Sequence, residues 1–340
     1  MPRTGILLLN LGTPDDTSVP AVRRYLKQFL LDYRVIDINP VLRSLLVQGI
    51  IAPFRAPKSA KAYKELWTEN GSPLKYYGYR IEEQLQEKLG DDFLVLLAMR
   101  YQNPSVPDML NKMRTQNVER IIVFPMFPQY ASASTGSALE EAMRVIAAWP
   151  VIPELSVISS YHDNDAMLDL YADNARHMGI DYYEHFLFSY HGVPQRQLYK
   201  SDCNNYCLKK ENCCSSITEL NKSCYSAQCF DTSRKLAAKL GISEDRFSVA
   251  FQSRLGPDKW TEPFTPDVLE ELIEKGIKKV LVFSPSFTAD CLETTIEIGD
   301  EYNEEFIEMG GEKLDLVPSL NDDPRWVDVI HDIVAEHFPA

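Results

Sequence analysis

The chain has no surplus of positive charge. Its 35 Lys and Arg face 49 Asp and Glu, a formal net charge of -14 over 340 residues. Binding nucleic-acid phosphates requires clustered cations, so this composition argues against nucleic acid as a partner. Neither a G-x-G-x-x-G nor a G-x-x-x-x-G-K-[ST] pattern occurs, which leaves nucleotide binding without support. No apolar run reaches the about 20 residues of a membrane-spanning helix. The amino-terminal "MPRTGILLLNLGTPDD" lacks a small-residue cleavage site and runs directly into a Gly-Thr-Pro turn, so it reads as a buried first strand. The expected compartment is therefore the cytoplasm, where structural disulfides are rare. Cysteine is sparse outside one stretch: six of seven lie between Cys203 and Cys229.

With 45% hydrophobic and 25% charged residues, the chain has the composition of a globular protein large enough for two domains. Short apolar runs recur at 5–12, 93–99, 120–127, 155–161, 185–192, 247–253, 278–287 and 313–320. Stretches of helical periodicity such as "SALEEAMRVIAAW" and "DVLEELIEKG" lie between them. Unalternating apolar strands separated by helices predict parallel sheets covered on both faces, an α/β fold. "ILLLNLGTP" at 6–14 is similar to "FLFSYHGVP" at 186–194, and "RIIVFPMF" to "KKVLVFSPSF", which predicts two similar halves meeting near 162–180. In such sheets ligands sit beyond the carboxyl ends of the strands. The polar stretches in that position are expected to converge on a cleft between the halves.

His191 ends an apolar strand and is followed by Gly192 and Pro194, which can turn the chain and leave the imidazole facing the cleft. A satisfied structural histidine fits the same pattern. Glu293, Glu297 and Glu301 fall at i, i+4 and i+8 of the next helical stretch, hence on one face. Such a stripe suits a solvated surface, yet Glu293 in the first turn could also bind a hard or borderline cation. Tyr101, Tyr130, Trp260 and Phe287 could stack on a flat ligand, with Arg100 pairing a carboxylate, or could fill the core. The apolar stretch 41–54, "VLRSLLVQGIIAPF", reads either as a buried helix or as a lip at the cleft mouth that admits a hydrophobic ligand.

Seven motifs in order, "LLLNLGTP", "ENGSPL", "MRYQNPS", "FPQYASASTGS", "FSYHGVP", "FQSRLGPDKW" and "SFTADCLETTIEI", span nearly the whole chain and resemble the ferrochelatases, most closely the Gram-negative bacterial type. The resemblance implies two Rossmann-like, chelatase-type domains, 1–165 and 166–340, with parallel sheets flanked by helices and the active-site cleft between them. The last helix would pack back on the amino-terminal domain. It further implies insertion of ferrous iron into protoporphyrin IX at the final step of haem biosynthesis. His191 and Glu293 would be the catalytic and metal-contacting pair. Glu297 and Glu301 would extend an acidic path for metal or protons, and Leu11, Arg100, Tyr101 and Trp260 would line the porphyrin pocket. Metal insertion displaces two pyrrole protons and strips water from the ion, which calls for a base and a temporary ligand. Rival readings are a chelatase for cobalt or coproporphyrin, and a haem-binding or iron-sensing protein without turnover. Peripheral contact with the inner membrane through 41–54 is a further expectation, while the oligomeric state is undetermined by sequence.

The cysteines lie on an insertion at about 202–229. Some ferrochelatases carry a 2Fe-2S cluster, in animals usually held near the carboxyl terminus, whereas this chain ends "VAEHFPA". The resemblance implies such a cluster here, held by four of Cys203, Cys207, Cys213, Cys214, Cys224 and Cys229. The favoured set is Cys203, Cys207, one of the adjacent pair, and Cys224. The spacings of Cys203 to Cys207 and Cys224 to Cys229 also suit a structural zinc. Cys291, in the active-site motif, stands apart.

Overall fold

The computed structural model describes residues 4–210, 212–256 and 258–338. All eight apolar runs form strands: β1 (Thr4–Gly12), β2 (Phe93–Tyr101), β3 (Arg120–Pro125), β4 (Glu154–Val157), β5 (His185–His191), β6 (Phe247–Gln252), β7 (Lys279–Phe283) and β8 (Lys313–Leu316). They build two four-stranded, wholly parallel sheets, of order β2-β1-β3-β4 and β6-β5-β7-β8. The order is the same in both, which is the structural counterpart of the internal sequence similarity. The chain divides into two units, one of 1–127, 131–159 and 321–340, the other of 128–130 and 160–320.

In the first unit Leu7, Leu9, Leu96, Ala98, Ile121 and Val123 pack against Leu110 and Met113 of the Val106–Thr115 helix and Ala138 and Ala142 of the Ser137–Ala147 helix. The final helix, Pro324–Ala335, also belongs to this unit, where Lys88 pairs with Asp328 at 2.9 Å. In the second unit Leu187, Ala250, Val280, Val282 and Leu314 pack against Leu269, Ile298 and Phe306. Each such Leu, Ile, Val, Met or Phe side chain removed from water contributes about 1.5–3 kcal/mol, so these layers fix where the strand ends, and the residues they present, must lie.

The apolar stretch 41–54 is not a buried helix. Val41, Leu42, Leu45, Ile50 and Phe54 are exposed on consecutive helical turns. No helix among the described residues is long and apolar enough to cross a membrane.

The turn leaving β1 depends on one glycine. Gly12 has φ +115°, and a Cβ there would lie 2.1 Å from the Tyr101 carbonyl oxygen on β2. Replacement by alanine combines a left-handed strain with a backbone clash. Gly12→Ala is expected to lower unfolding free energy by about 3 kcal/mol or more in urea titration. A loss under about 0.5 kcal/mol would contradict this close approach.

Candidate active site

In the second unit, candidate residues gather at the carboxyl ends of β5 and β6 and on the helix after β7. His191 is the last residue of β5 and is half-buried. Its Nδ1 lies 2.7 Å from the Gly192 carbonyl oxygen. A carbonyl only accepts, so Nδ1 carries a proton, and Nε2 is the ring nitrogen left free of that bond. The turn that presents the ring is tight. A Cβ on Gly192 would meet the Gln252 carbonyl oxygen at 2.9 Å and the Trp260 ring at 3.3 Å. Trp260 thus packs against the backbone beside His191, its indole N–H donating to the Leu255 carbonyl at 3.2 Å.

The carboxylates lie on Leu292–Tyr302, which is a π-helix rather than the α-helix the spacing predicts. π-Helical segments are rare and concentrate at functional sites. Its amino end is closed by Thr294, whose Oγ1 accepts from the Cys291 N–H at 2.9 Å. Burial, reinforced by the nearby Glu293 charge, pushes the Cys291 thiol well up, so Cys291 stays protonated. Glu293 and Glu297 are half-buried and Glu301 is exposed. On Glu297 three donors converge: Gln252 Nε2 at 2.9 Å, Ser253 Oγ at 2.6 and 2.7 Å, and Tyr302 OH at 3.1 Å.

Gln252, which sequence reasoning passed over, connects the two halves of this arrangement. It is fully buried and stands opposite His191 in the β5–β6 register. Its carbonyl accepts from the Gly192 N–H at 2.7 Å, and its Oε1 accepts from Ser189 Oγ at 2.8 Å. Its Nε2 donates to the Glu293 carbonyl at 3.0 Å as well as to Glu297. The one amide therefore fixes both the strand that carries His191 and the helix that carries the carboxylates. The signal was present in "FQS", as a polar residue ending a strand whose every other register partner is apolar or small.

Phe287, half-buried in the turn after β7, accepts at its carbonyl from Tyr171 OH at 3.0 Å. Tyr130 is half-buried, with its N–H donating to Gln228 Oε1 at 2.7 Å. In the first unit, Leu11 lies half-buried at the end of β1. Arg100 and Tyr101 are put to a use the sequence did not suggest. The Arg100 guanidinium pairs with Asp32 at 2.7 Å and donates to Ser137, while the Tyr101 hydroxyl donates to the same Asp32 oxygen at 2.9 Å. Tyr101 is 1% exposed and Asp32 is buried. The carboxylate that Arg100 satisfies is thus internal, because a buried Asp without cationic and hydroxyl donors would be costly.

The cysteine segment folds around Asp202, whose carboxylate accepts from the backbone of Asn204, Tyr206 and Cys207. It gathers four sulfurs. Cys207 Sγ lies 3.9 Å from Cys224 Sγ, and Cys213 Sγ lies 3.8 Å from Cys214 Sγ. The Leu208 N–H points at Cys213 Sγ at 3.4 Å, from a backbone with φ +56°. The neighbouring thiols, Cys207 foremost, push the Cys224 thiol down from its ordinary value. Cys203 is exposed, and Cys229 is buried on the Tyr225–Leu240 helix. The close sulfur pairs thus take in both members of the adjacent pair, whereas the favoured set has one of them together with the exposed Cys203.

His162, Asp163 and Asp231 also bring ligand atoms within 4.8 Å of one another. The Lys235 ammonium already bridges both carboxylates, at 3.1 Å and 2.9 Å, and Arg234 lies 3.6 Å from Asp231, so both carboxylates are paired with cations from within the chain.

The ferrochelatase family model matches residues 3–338. Curated ferrochelatases from Coxiella burnetii and Legionella pneumophila (strain Paris) are 47% and 43% identical, over 96% and 99% of this chain and 92% and 100% of their own lengths. Among solved structures, SirB from Bacillus subtilis with Fe3+ superposes with a TM-score of 0.53 over 98% of this chain and 95% of that one, at 13% identity, a likeness of fold. The chain belongs to the ferrochelatase family.

Proposed function

We propose that this chain inserts ferrous iron into protoporphyrin IX, forming protohaem and releasing two protons. The observation that carries the reading is the His191 ring, its Nδ1–H directed at the Gly192 carbonyl and its Nε2 left free of that bond, tied through Gln252 to the helix bearing Glu293 and Glu297. A neutral imidazole held this way can take a pyrrole proton or hold the incoming ion, and a positioned base of this kind contributes typically about 10²–10⁴-fold. Glu293 offers a hard oxygen ligand that can replace part of the iron's water shell. Glu297, held by three donors, supplies a fixed negative charge one turn further along the helix, which favours a dication or departing protons. Trp260 supplies an aromatic face beside His191 for a flat macrocycle.

His191→Ala is expected to lower the rate of haem formation by at least about 100-fold under anaerobic conditions, with porphyrin affinity by fluorescence quenching within about threefold of wild type. Turnover retained in that variant would remove His191 from the reaction.

Within the same reading, the cysteine segment holds a 2Fe-2S cluster through Cys207, Cys213, Cys214 and Cys224. The observations that support it are two close sulfur pairs and a backbone N–H directed at one sulfur. A bound cluster would supply a structural tie or a one-electron centre. Insertion changes no oxidation state, so no step of it needs that centre. Anaerobically purified protein is expected to contain about two iron and two sulfide per chain and to absorb in the visible. Cys224→Ser abolishes that absorption and Cys203→Ser preserves it. A colourless protein with one zinc per chain, or loss of absorption with Cys203→Ser, would overturn the assignment.

A further inference from the structure

The helix Tyr225–Leu240 begins where the cysteine segment ends, and its first turn touches two sites at once. Tyr225 is 7% exposed, and its hydroxyl donates to the backbone carbonyl of His191 at 2.8 Å. Its ring packs on Phe251 of β6, centroids 6.4 Å apart. The need for this hydrogen bond follows from the sheet. Successive residues of a strand direct their backbone groups to opposite neighbours. The Gly192 N–H goes to Gln252 on β6, so the His191 carbonyl faces the other side, toward β7. There the ladder stops at Phe188 opposite Phe283. Two carbonyls are left beyond it, and each is met by a side chain: Ser189 by Ser284 Oγ at 3.3 Å, and His191 by Tyr225. A carbonyl left without a donor in such a place would draw the strand end out of position.

The residues flanking Tyr225 face the sulfurs. Cys224 precedes it as the N-cap of the helix. Ser226 follows it and accepts from the Cys214 thiol at 3.6 Å. Two turns on, Arg234 donates to the Cys214 carbonyl at 3.0 Å. A displacement of the sulfurs therefore moves the first turn of this helix, and with it the hydroxyl that holds His191.

We propose that Tyr225 is a positioning residue for His191 and that it couples the cysteine segment to the reacting imidazole. Burial keeps the phenol protonated, so that it donates to that carbonyl. The coupling rests on the reading of His191 as the reacting group, and it runs through backbone position alone, with no electron passing between the sites.

The test is a double-mutant cycle on the full chain. It uses Tyr225→Phe, the pair Cys207→Ser with Cys214→Ser, and their combination, each labelled with ¹⁵N-histidine. The ring ¹⁵N resonances of His191 report its tautomer and surroundings, and those of His185, at the far end of β5, serve as the fold control. Tyr225→Phe is expected to shift the His191 resonances and lower kcat by about tenfold, with porphyrin KM within about twofold. The cysteine pair is expected to shift the same resonances in the wild-type background and to add nothing to Tyr225→Phe. Unshifted His191 resonances with unchanged kcat in Tyr225→Phe would overturn the positioning role. Equal cysteine-induced shifts in both backgrounds, or none in either, would overturn the coupling. A protein that shows these shifts but makes no haem would defeat the reading of function and leave the coupling standing.

Discussion

The buried Gln252 is the residue on which the rest of the site depends. Its backbone carbonyl accepts from Gly192, its side-chain Oε1 accepts from Ser189, and its Nε2 donates to Glu293 and Glu297. A buried amide left partly unsatisfied is expensive, so the strand end, the turn and the π-helix are fixed together rather than one by one. His191 and the carboxylates then inherit their positions from this network. The apolar layers beneath, Leu187, Ala250 and Val282 among them, set the height of the strand ends at which it forms.

Around that centre the chain applies one device repeatedly: a side chain completes the backbone where the sheet ladder runs out. Ser284 and Tyr225 do so for β5, and Thr261 accepts from the Val193 N–H in the following turn. In the first unit the equivalent rigidity at the end of β2 comes from charge. Asp32 gathers Arg100, Tyr101 and Ser137, and burial together with the Asp32 charge pushes the Tyr101 phenol well up, so that it remains a donor. Both arrangements trade ligand-facing freedom for a fixed strand end.

Much of this was legible in the sequence. Parallel strands buried on both faces read as continuous apolar runs, and all eight runs are strands; the similarity of 6–14 to 186–194 appears as identical strand order in the two sheets. The carboxylate stripe was legible as well, since period alone places Glu293, Glu297 and Glu301. Its π-helical form was not, because i, i+4 spacing is compatible with either helix. Arg100 and Tyr101 were read as ligand contacts because an exposed and an internal carboxylate look the same from the arginine's side; the partner, Asp32, is 68 residues away. The cysteine pairs were not legible. Which sulfurs meet is decided by the turns around Asp202 and Leu208, and nothing in the interval between two cysteines encodes a left-handed leucine.

The apolar stretch 41–54 shows the same limit from the other side: its composition suited burial and exposure equally, and only the packing of the first unit leaves Leu42, Leu45 and Phe54 outside. What the account claims at its centre is turnover. The direct measurement is haem formation when the purified chain, ferrous iron and protoporphyrin IX are mixed without oxygen and followed by absorbance. The account predicts protohaem forming at a rate proportional to protein concentration and far above the uncatalysed rate. Porphyrin binding without haem above the uncatalysed rate would contradict it and identify a binding protein in its place.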